Sequence, residues 1–76
     1  MLAMNGLEIL MDKGTGVEGR WVRTAIRQPM RHGVYTVIRL RDSGYYSYDK
    51  FIWRGVWLDL GGKPKKGAEA WFEEAS

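Results

Sequence analysis

The chain has 76 residues, no cysteine and a formal net charge of +3 at pH 7, which excludes a disulfide framework and a thiolate metal site. No segment reaches the roughly 20 apolar residues of a membrane-spanning helix, and residues 1–6 lack the basic and apolar regions of a signal peptide. We therefore predict one small cytoplasmic domain over residues 1–76, with residues 1–6 frayed. Because so small a domain buries little surface, its core must come from its aromatic side chains or from a partner.

The N-terminal part of the chain predicts a β-hairpin. An apolar run over residues 7–12 ends at a glycine-containing turn cluster, and apolar character then resumes between residues 17 and 24. We expect a strand on each side of that turn.

Residues 14–19 have the pattern G-x-G-x-x-G. A dinucleotide site needs a long helix and a second parallel strand after this motif, and Pro29 and Gly33 interrupt the chain too early for both. We interpret these glycines as a hairpin turn, and the sequence predicts no cofactor.

Residues 20–31 leave two interpretations open. Basic residues recur at positions 20, 23, 27 and 31, which is the spacing of one helical face. Pro29 disfavours a helical conformation for Gln28. We favour a strand followed by an irregular loop over a helix.

The clearest pattern lies in residues 33–60, which contain three runs rich in β-branched and aromatic residues. Turn clusters at residues 42–44 and 54–55 separate these runs, which predicts a three-stranded antiparallel meander. The whole chain is expected to be mainly β. It would form a small twisted antiparallel sheet or a partly closed barrel of four to six strands, with room for one short helix.

Alternation along the first of these runs predicts two different faces of the sheet. One face carries Val34, Thr36, Ile38 and Leu40; the other carries Tyr35, Val37, Arg39 and Arg41. We predict that the first face is the core side and that the second is free to bind a partner. In the alternative interpretation, the aromatic residues form a second small core beneath the N-terminal hairpin.

The C-terminal part combines a loop with a short tail. Residues 61–67 contain glycines, a proline and three lysines, which predicts a flexible basic loop. Residues 68–75 fit either a last edge strand or a short helix.

Charge is distributed unevenly along the chain. Residues 19–66 have a net charge of +8, whereas residues 1–18 carry −2 and residues 67–76 carry −3. This imbalance predicts an acidic partner, either nucleic acid or an acidic protein surface. The alternative is that the arginines only solvate the outer face of the sheet.

The order of several features resembles a family of small phage and prophage proteins that is known only as a domain of unknown function. These features are Trp21 and, after seven residues, Pro29; a strand at 34–40; a tyrosine-bearing strand that closes on 55–57; and Trp71. The resemblance covers about residues 21–72. It implies a phage origin and a small antiparallel sheet, and it carries no known activity. The chain departs from the family at Gln28, where leucine is usual, and it lacks the closing prolines.

Residues for catalysis are scarce. The single histidine, His32, follows Arg31 and has no candidate nucleophile beside it in the sequence. One histidine without cysteine also gives too few ligands for a typical zinc site. We therefore predict a protein that is not an enzyme and holds neither a metal nor a cofactor.

Binding is the better-supported class of function, because arginine and tyrosine on one surface are typical of protein hot spots and can also stack on bases. Our first hypothesis is a small phage-type accessory protein that binds and inhibits a host protein or nucleoprotein complex, as anti-CRISPR proteins do. The second is a nucleic-acid-binding module, and the third is a homo-oligomeric structural component. The predicted partner-binding residues are Tyr35, Arg39, Arg41, Tyr46, Tyr48, Trp57, Lys63, Lys65 and Lys66.

Overall fold

The computed structural model describes residues 4–75, so residues 1–3 of the segment 1–6, which was predicted to be frayed, lie outside the described residues. Its elements are α1 (Gly6–Lys13), β1 (Gly19–Arg23), β2 (Gly33–Leu40), β3 (Tyr46–Trp53), β4 (Trp57–Leu58) and β5 (Ala68–Glu74). The strands form one antiparallel sheet in the order β1-β5-β2-β3-β4, and this sheet is not closed into a barrel. The predicted mainly β fold, with an antiparallel sheet of four to six strands and one short helix, is confirmed. Within residues 4–75 no helix is long and apolar enough to cross a membrane.

The predicted meander is formed by β2, β3 and β4. β2 and β3 pair over their whole length, from Gly33↔Trp53 to Leu40↔Tyr46. In the turn between them, the N–H of Gly44 donates to the carbonyl oxygen of Arg41 at 2.8 Å. The alternation of apolar and polar residues therefore predicted this part of the sheet correctly.

The prediction of a strand over residues 7–12 is wrong, because this segment lies in α1. The side chain of Asn5 accepts a hydrogen bond from the N–H of Glu8 at 2.8 Å and caps the helix. Leu7, Leu10 and Met11 follow the three- and four-residue spacing that places side chains on one side of a helix. They pack against the sheet near Ile38, so burial of this side stabilises α1.

The tail is a strand, as one of the two interpretations proposed, but its position differs from the prediction. β5 lies between β1 and β2 and is not an edge strand. Residues 20–31 also follow the favoured interpretation, since β1 ends at Arg23 and an irregular segment continues to residue 32. β5 is thus paired on both sides, which places Trp71 in the centre of the sheet.

Both faces of the sheet are partly buried. One face, the aromatic face, carries the larger core: Val22, Val37, Phe51, Trp57, Ala68 and Trp71, with Tyr35 and Trp53 packed against them. The other, the helix face, buries Ile38 and Ala70 beneath Leu7 of α1. The predicted division into a core side and a free side is therefore wrong. Val34, expected in the core, is exposed, whereas Val37 on the opposite face is fully buried.

Residues 24–32 cover the aromatic face. The indole N–H of Trp71 donates to the carbonyl oxygen of Arg27 at 3.0 Å. The hydroxyl of Tyr35 donates to the carbonyl oxygen of Arg31 at 2.8 Å. The indole N–H of Trp57 donates to Oε1 of Gln28 at 3.2 Å. These bonds satisfy polar atoms that would be costly to bury unpaired. The aromatic residues do form a second core, but this segment covers it and not an N-terminal hairpin.

A cationic strip as the candidate functional site

Arg39 and Arg41 lie side by side on the aromatic face, near the end of β2. The pairing of β2 with β3 places them beside Ser47 and Asp49, one of the two neighbourhoods that the alternation allowed. Nε of Arg41 donates to Oγ of Ser47 at 2.8 Å. Oδ2 of Asp49 lies 3.6 Å from Nη1 of Arg39 and 3.8 Å from Nη2 of Arg41. Two guanidinium groups thus share one carboxylate, which leaves one positive charge unmatched.

Residues 65–67 connect β4 to the end of β2, next to this pair of arginines. The N–H of Lys65 donates to the carbonyl oxygen of Trp57 at 2.9 Å. The N–H of Leu40 donates to the carbonyl oxygen of Gly67 at 2.7 Å. Lys66 therefore lies in a short bridge that ends directly beside β2. We call Arg39, Arg41, Lys65 and Lys66 the cationic strip.

Asp59 shapes the turn that precedes this bridge. Its Oδ1 accepts hydrogen bonds from the N–H groups of Gly61 and Lys63, each at 2.9 Å. The bond from Lys63 is the main cause that lowers the pKa of the Asp59 carboxyl. Oδ2 of Asp59 also lies 3.9 Å from Nζ of Lys65. Asp49 thus lies beside the two arginines and Asp59 beside Lys65, so two carboxylates balance four cations and the strip keeps a surplus of positive charge.

The structure places the other predicted binding residues, apart from Lys63, away from the cationic strip. Trp57 is buried and Tyr35 is half-buried beneath residues 24–32. Tyr46 and Tyr48 lie on the helix face, where the hydroxyl of Tyr48 donates to the carbonyl oxygen of Leu10 at 2.6 Å. Burial raises the pKa of Tyr48. Lys63 is exposed in the Asp59 turn, which adjoins Lys65 of the strip. The binding role of all nine residues remains a prediction, and only four of them form the strip.

Tyr45 is a candidate that the predicted set missed. It follows the turn between β2 and β3, it is 58% exposed, and its carbonyl oxygen accepts a hydrogen bond from the N–H of Arg41 at 2.8 Å. An exposed aromatic side chain next to an arginine is a typical hot-spot pair. Residues 45–48 contain three tyrosines, and the sequence alone did not show which of their rings are exposed. Tyr45 therefore could not be distinguished from its neighbours.

Two further arginines are held by an acid away from the strip. Oε1 of Glu73 accepts hydrogen bonds from Nη2 of Arg27 at 2.8 Å and from Nε of Arg20 at 3.0 Å. The bond from Arg27, followed by that from Arg20, lowers the pKa of Glu73. These bonds connect β5 to β1 and to the segment that covers the aromatic face.

We expect Glu73→Gln to lower the melting temperature at pH 7, because the neutral amide loses both ion pairs. A lowered pKa in the folded protein means that the stabilising effect is complete above the ordinary value of 4.5 and is lost as the pH falls through the lowered value. The two proteins should therefore converge in melting temperature under acidic conditions. Thermal unfolding followed by circular dichroism between pH 2 and pH 7 measures this. Glu74→Gln, which changes an exposed neighbour, is the control, and an equal effect of both substitutions would contradict the assignment.

Other site chemistry is sparse in the part of the chain that the structure describes. Among residues 4–75, no three histidine, cysteine, aspartate or glutamate residues come together to hold a metal ion, and His32 is exposed. The chain matches no protein-family model, no curated protein and no solved structure. The resemblance to the phage family therefore remains a prediction.

Proposed function

We propose that this protein is a non-catalytic binding module whose cationic strip recognises an acidic surface on a partner protein. The observation that carries this proposal is the arrangement of Arg39 and Arg41, which Asp49 and Ser47 hold in place. Because these guanidinium groups are already ordered, they lose less conformational freedom on binding. Lys66 adds an exposed cation at the same place, and such a cluster also speeds association with an acidic partner.

The finer proposal names the partner as a host protein or nucleoprotein complex that a phage-type accessory protein binds and inhibits. The resemblance described above and the small size of the chain support it. Inhibition would follow from occupation of an acidic surface that the host complex itself needs, without any chemical step.

We expect Lys66→Glu to weaken binding to the partner about tenfold or more, because it reverses a charge within the strip. Lys13→Glu makes the same change in an exposed lysine at the end of α1 and should leave binding unchanged. The measurement is capture from a nuclease-treated bacterial lysate with the tagged protein, followed by titration of the captured complex with both variants. Retention of the same complex by Lys66→Glu at unchanged affinity would place the interface elsewhere.

Nucleic-acid binding is the second candidate, and Tyr45 favours it, because its ring is exposed and its backbone pairs with that of Arg41. A base can stack on this ring while the strip contacts phosphates. Four phosphate contacts predict that the logarithm of the binding constant falls with the logarithm of salt concentration with a slope of about −3 to −4. Titration of labelled single-stranded and duplex oligonucleotides measures the slope. An absence of binding at low salt would remove this candidate.

A homo-oligomeric structural component is the third candidate. It requires a molar mass in solution well above the 8.8 kDa of one chain. Light scattering decides this, and a strict monomer excludes it.

A further inference from the structure

A cleft lies at the opposite end of β2 from the cationic strip. β2 pairs with β5 only through Val37↔Trp71, Ile38↔Ala70 and Arg39↔Ala68. Residues 33–36 remain paired with β3, and residues 72–74 remain paired with β1. The two central strands therefore diverge, and each has an unpaired edge that faces the other.

The cleft lies between these two strands. Its walls include Tyr35, Trp71 and Glu73 from the aromatic face, and Thr36, Phe72 and Glu74 from the helix face. Since side chains alternate along a strand, residues of both faces are expected to line an opening between strands. Its volume is about 580 Å³. One residue in a packed sheet occupies about 160 Å³, from a rise of about 3.4 Å, a strand spacing of about 4.8 Å and a layer spacing of about 10 Å. By volume, the cleft thus holds at most about three or four residues of extended chain.

The backbone on both walls specifies what can fill this space. Successive residues of a strand direct their N–H and C=O groups to alternate sides, so half of residues 33–36 direct theirs towards the cleft. The last bridge between the two strands, Val37↔Trp71, still directs the N–H of Phe72 to the carbonyl oxygen of Thr36, and beyond it no described residue continues the ladder on this side of Val34. A covering group without hydrogen-bond donors and acceptors would leave these backbone N–H and C=O groups without partners. Each unpaired group would cost about 1–3 kcal/mol. An extended polypeptide supplies both donors and acceptors at the spacing of a strand.

We propose that this cleft binds an extended segment of a partner polypeptide, which adds as a strand between β2 and β5. Met30, 94% exposed, and Val34, 57% exposed, lie on its walls, which favours apolar side chains at alternate positions of the segment. The walls carry two basic residues, Arg31 and Lys50, and two acidic ones, Glu73 and Glu74. Because these charges balance, the cleft should not strongly prefer a segment of either charge. The cleft is separate from the cationic strip and does not depend on the function proposed for it.

The test begins with a displayed library of ten-residue peptides selected on the full chain. We expect selected peptides to alternate apolar and polar residues. Val34→Glu should weaken the best of them about tenfold or more, because it places a charge in the cleft. Val56→Glu changes a valine of matched exposure, 55%, in the turn between β3 and β4 and should bind within about twofold of the original chain. Lys66→Glu should also leave peptide affinity unchanged, which separates this proposal from the function of the strip.

Amide hydrogen exchange on the unaltered chain is a second test, which does not require the Val34→Glu variant to fold. We expect the selected peptide to protect the amides of Val34, Thr36 and Glu74, which face the cleft. A library that yields no binder, equal losses in the two valine variants, or protection confined to other residues would overturn the proposal. Protection of the same amides without peptide, together with a dimer mass by light scattering, would also overturn it, because a second copy of the chain would then fill the cleft.

Discussion

Replacing Trp71 by alanine is expected to remove much of the stability of the protein. Trp71 is only 2% exposed, its ring centroid lies 5.4 Å from that of Tyr35, and Cζ of Arg27 lies 5.1 Å from its ring centroid. Truncation of a buried tryptophan costs about 3–5 kcal/mol. At about 0.05–0.15 kcal/mol per residue, the whole chain has only about 4–11 kcal/mol of stability. Urea unfolding followed by circular dichroism measures the loss.

Trp71→Phe is the matched control, because it keeps an aromatic ring in the core but removes the indole N–H that donates to the carbonyl oxygen of Arg27. We expect a smaller loss than for alanine. Part of this loss should come from the carbonyl group of Arg27, which loses its donor. An unpaired carbonyl group that water cannot reach costs roughly 1–3 kcal/mol. A loss below about 1 kcal/mol for Trp71→Ala would contradict the central position of this residue.

The second large effect is expected for Gly67→Ala, which tests the contact that positions the cationic strip. Gly67 has a φ of +92°, and a Cβ at this position would lie 2.5 Å from the carbonyl oxygen of Leu40 and 3.5 Å from Cγ of Arg39. The left-handed conformation alone costs about 1–2 kcal/mol for alanine, and the clash with backbone adds about 1–3 kcal/mol. Residues 65–67 must then shift, so we expect weaker partner binding as well as lower stability. Urea unfolding and partner titration measure the two effects.

Gly62→Ala supplies the control for the clash. Gly62 has almost the same φ, +89°, but a Cβ there would have no neighbour within 4 Å. It should therefore lose only the conformational part, about 1–2 kcal/mol, and it should keep partner binding. Equal losses for the two alanine variants would mean that Gly67 does not approach Leu40 closely.

The meander shows what the local pattern predicts well. Residues 33–60 alternate with a period of two and are interrupted by turn residues, and neighbouring strands joined by short turns pair with each other without help from distant parts of the chain. The expected register beside Ser47 and Asp49 was one of only two that this alternation allowed, and it is the one observed. The basic character of the middle of the chain was equally visible in the composition.

The N-terminal segment shows where the local pattern fails. Residues 7–12 form an apolar run that suits either a strand or a short helix, and a helix of eight residues is marginal by itself in water. The cap at Asn5 and the packing of Leu7 near Ile38 decide the outcome. The second of these contacts joins residues that are distant in the sequence, which no local pattern reports.

By itself, the sequence determined a small mainly β fold with its central meander and a surplus of positive charge in the middle of the chain, because alternation, turn residues and charge are local properties. Only the tertiary structure decided which face of the sheet is buried, since that depends on residues 24–32 folding over Trp57 and Trp71. It also decided that β5 lies between β1 and β2, and that Gly67 meets Leu40 to complete the cationic strip. These outcomes depend on contacts between distant segments, whose free energies come from the packing of the whole chain.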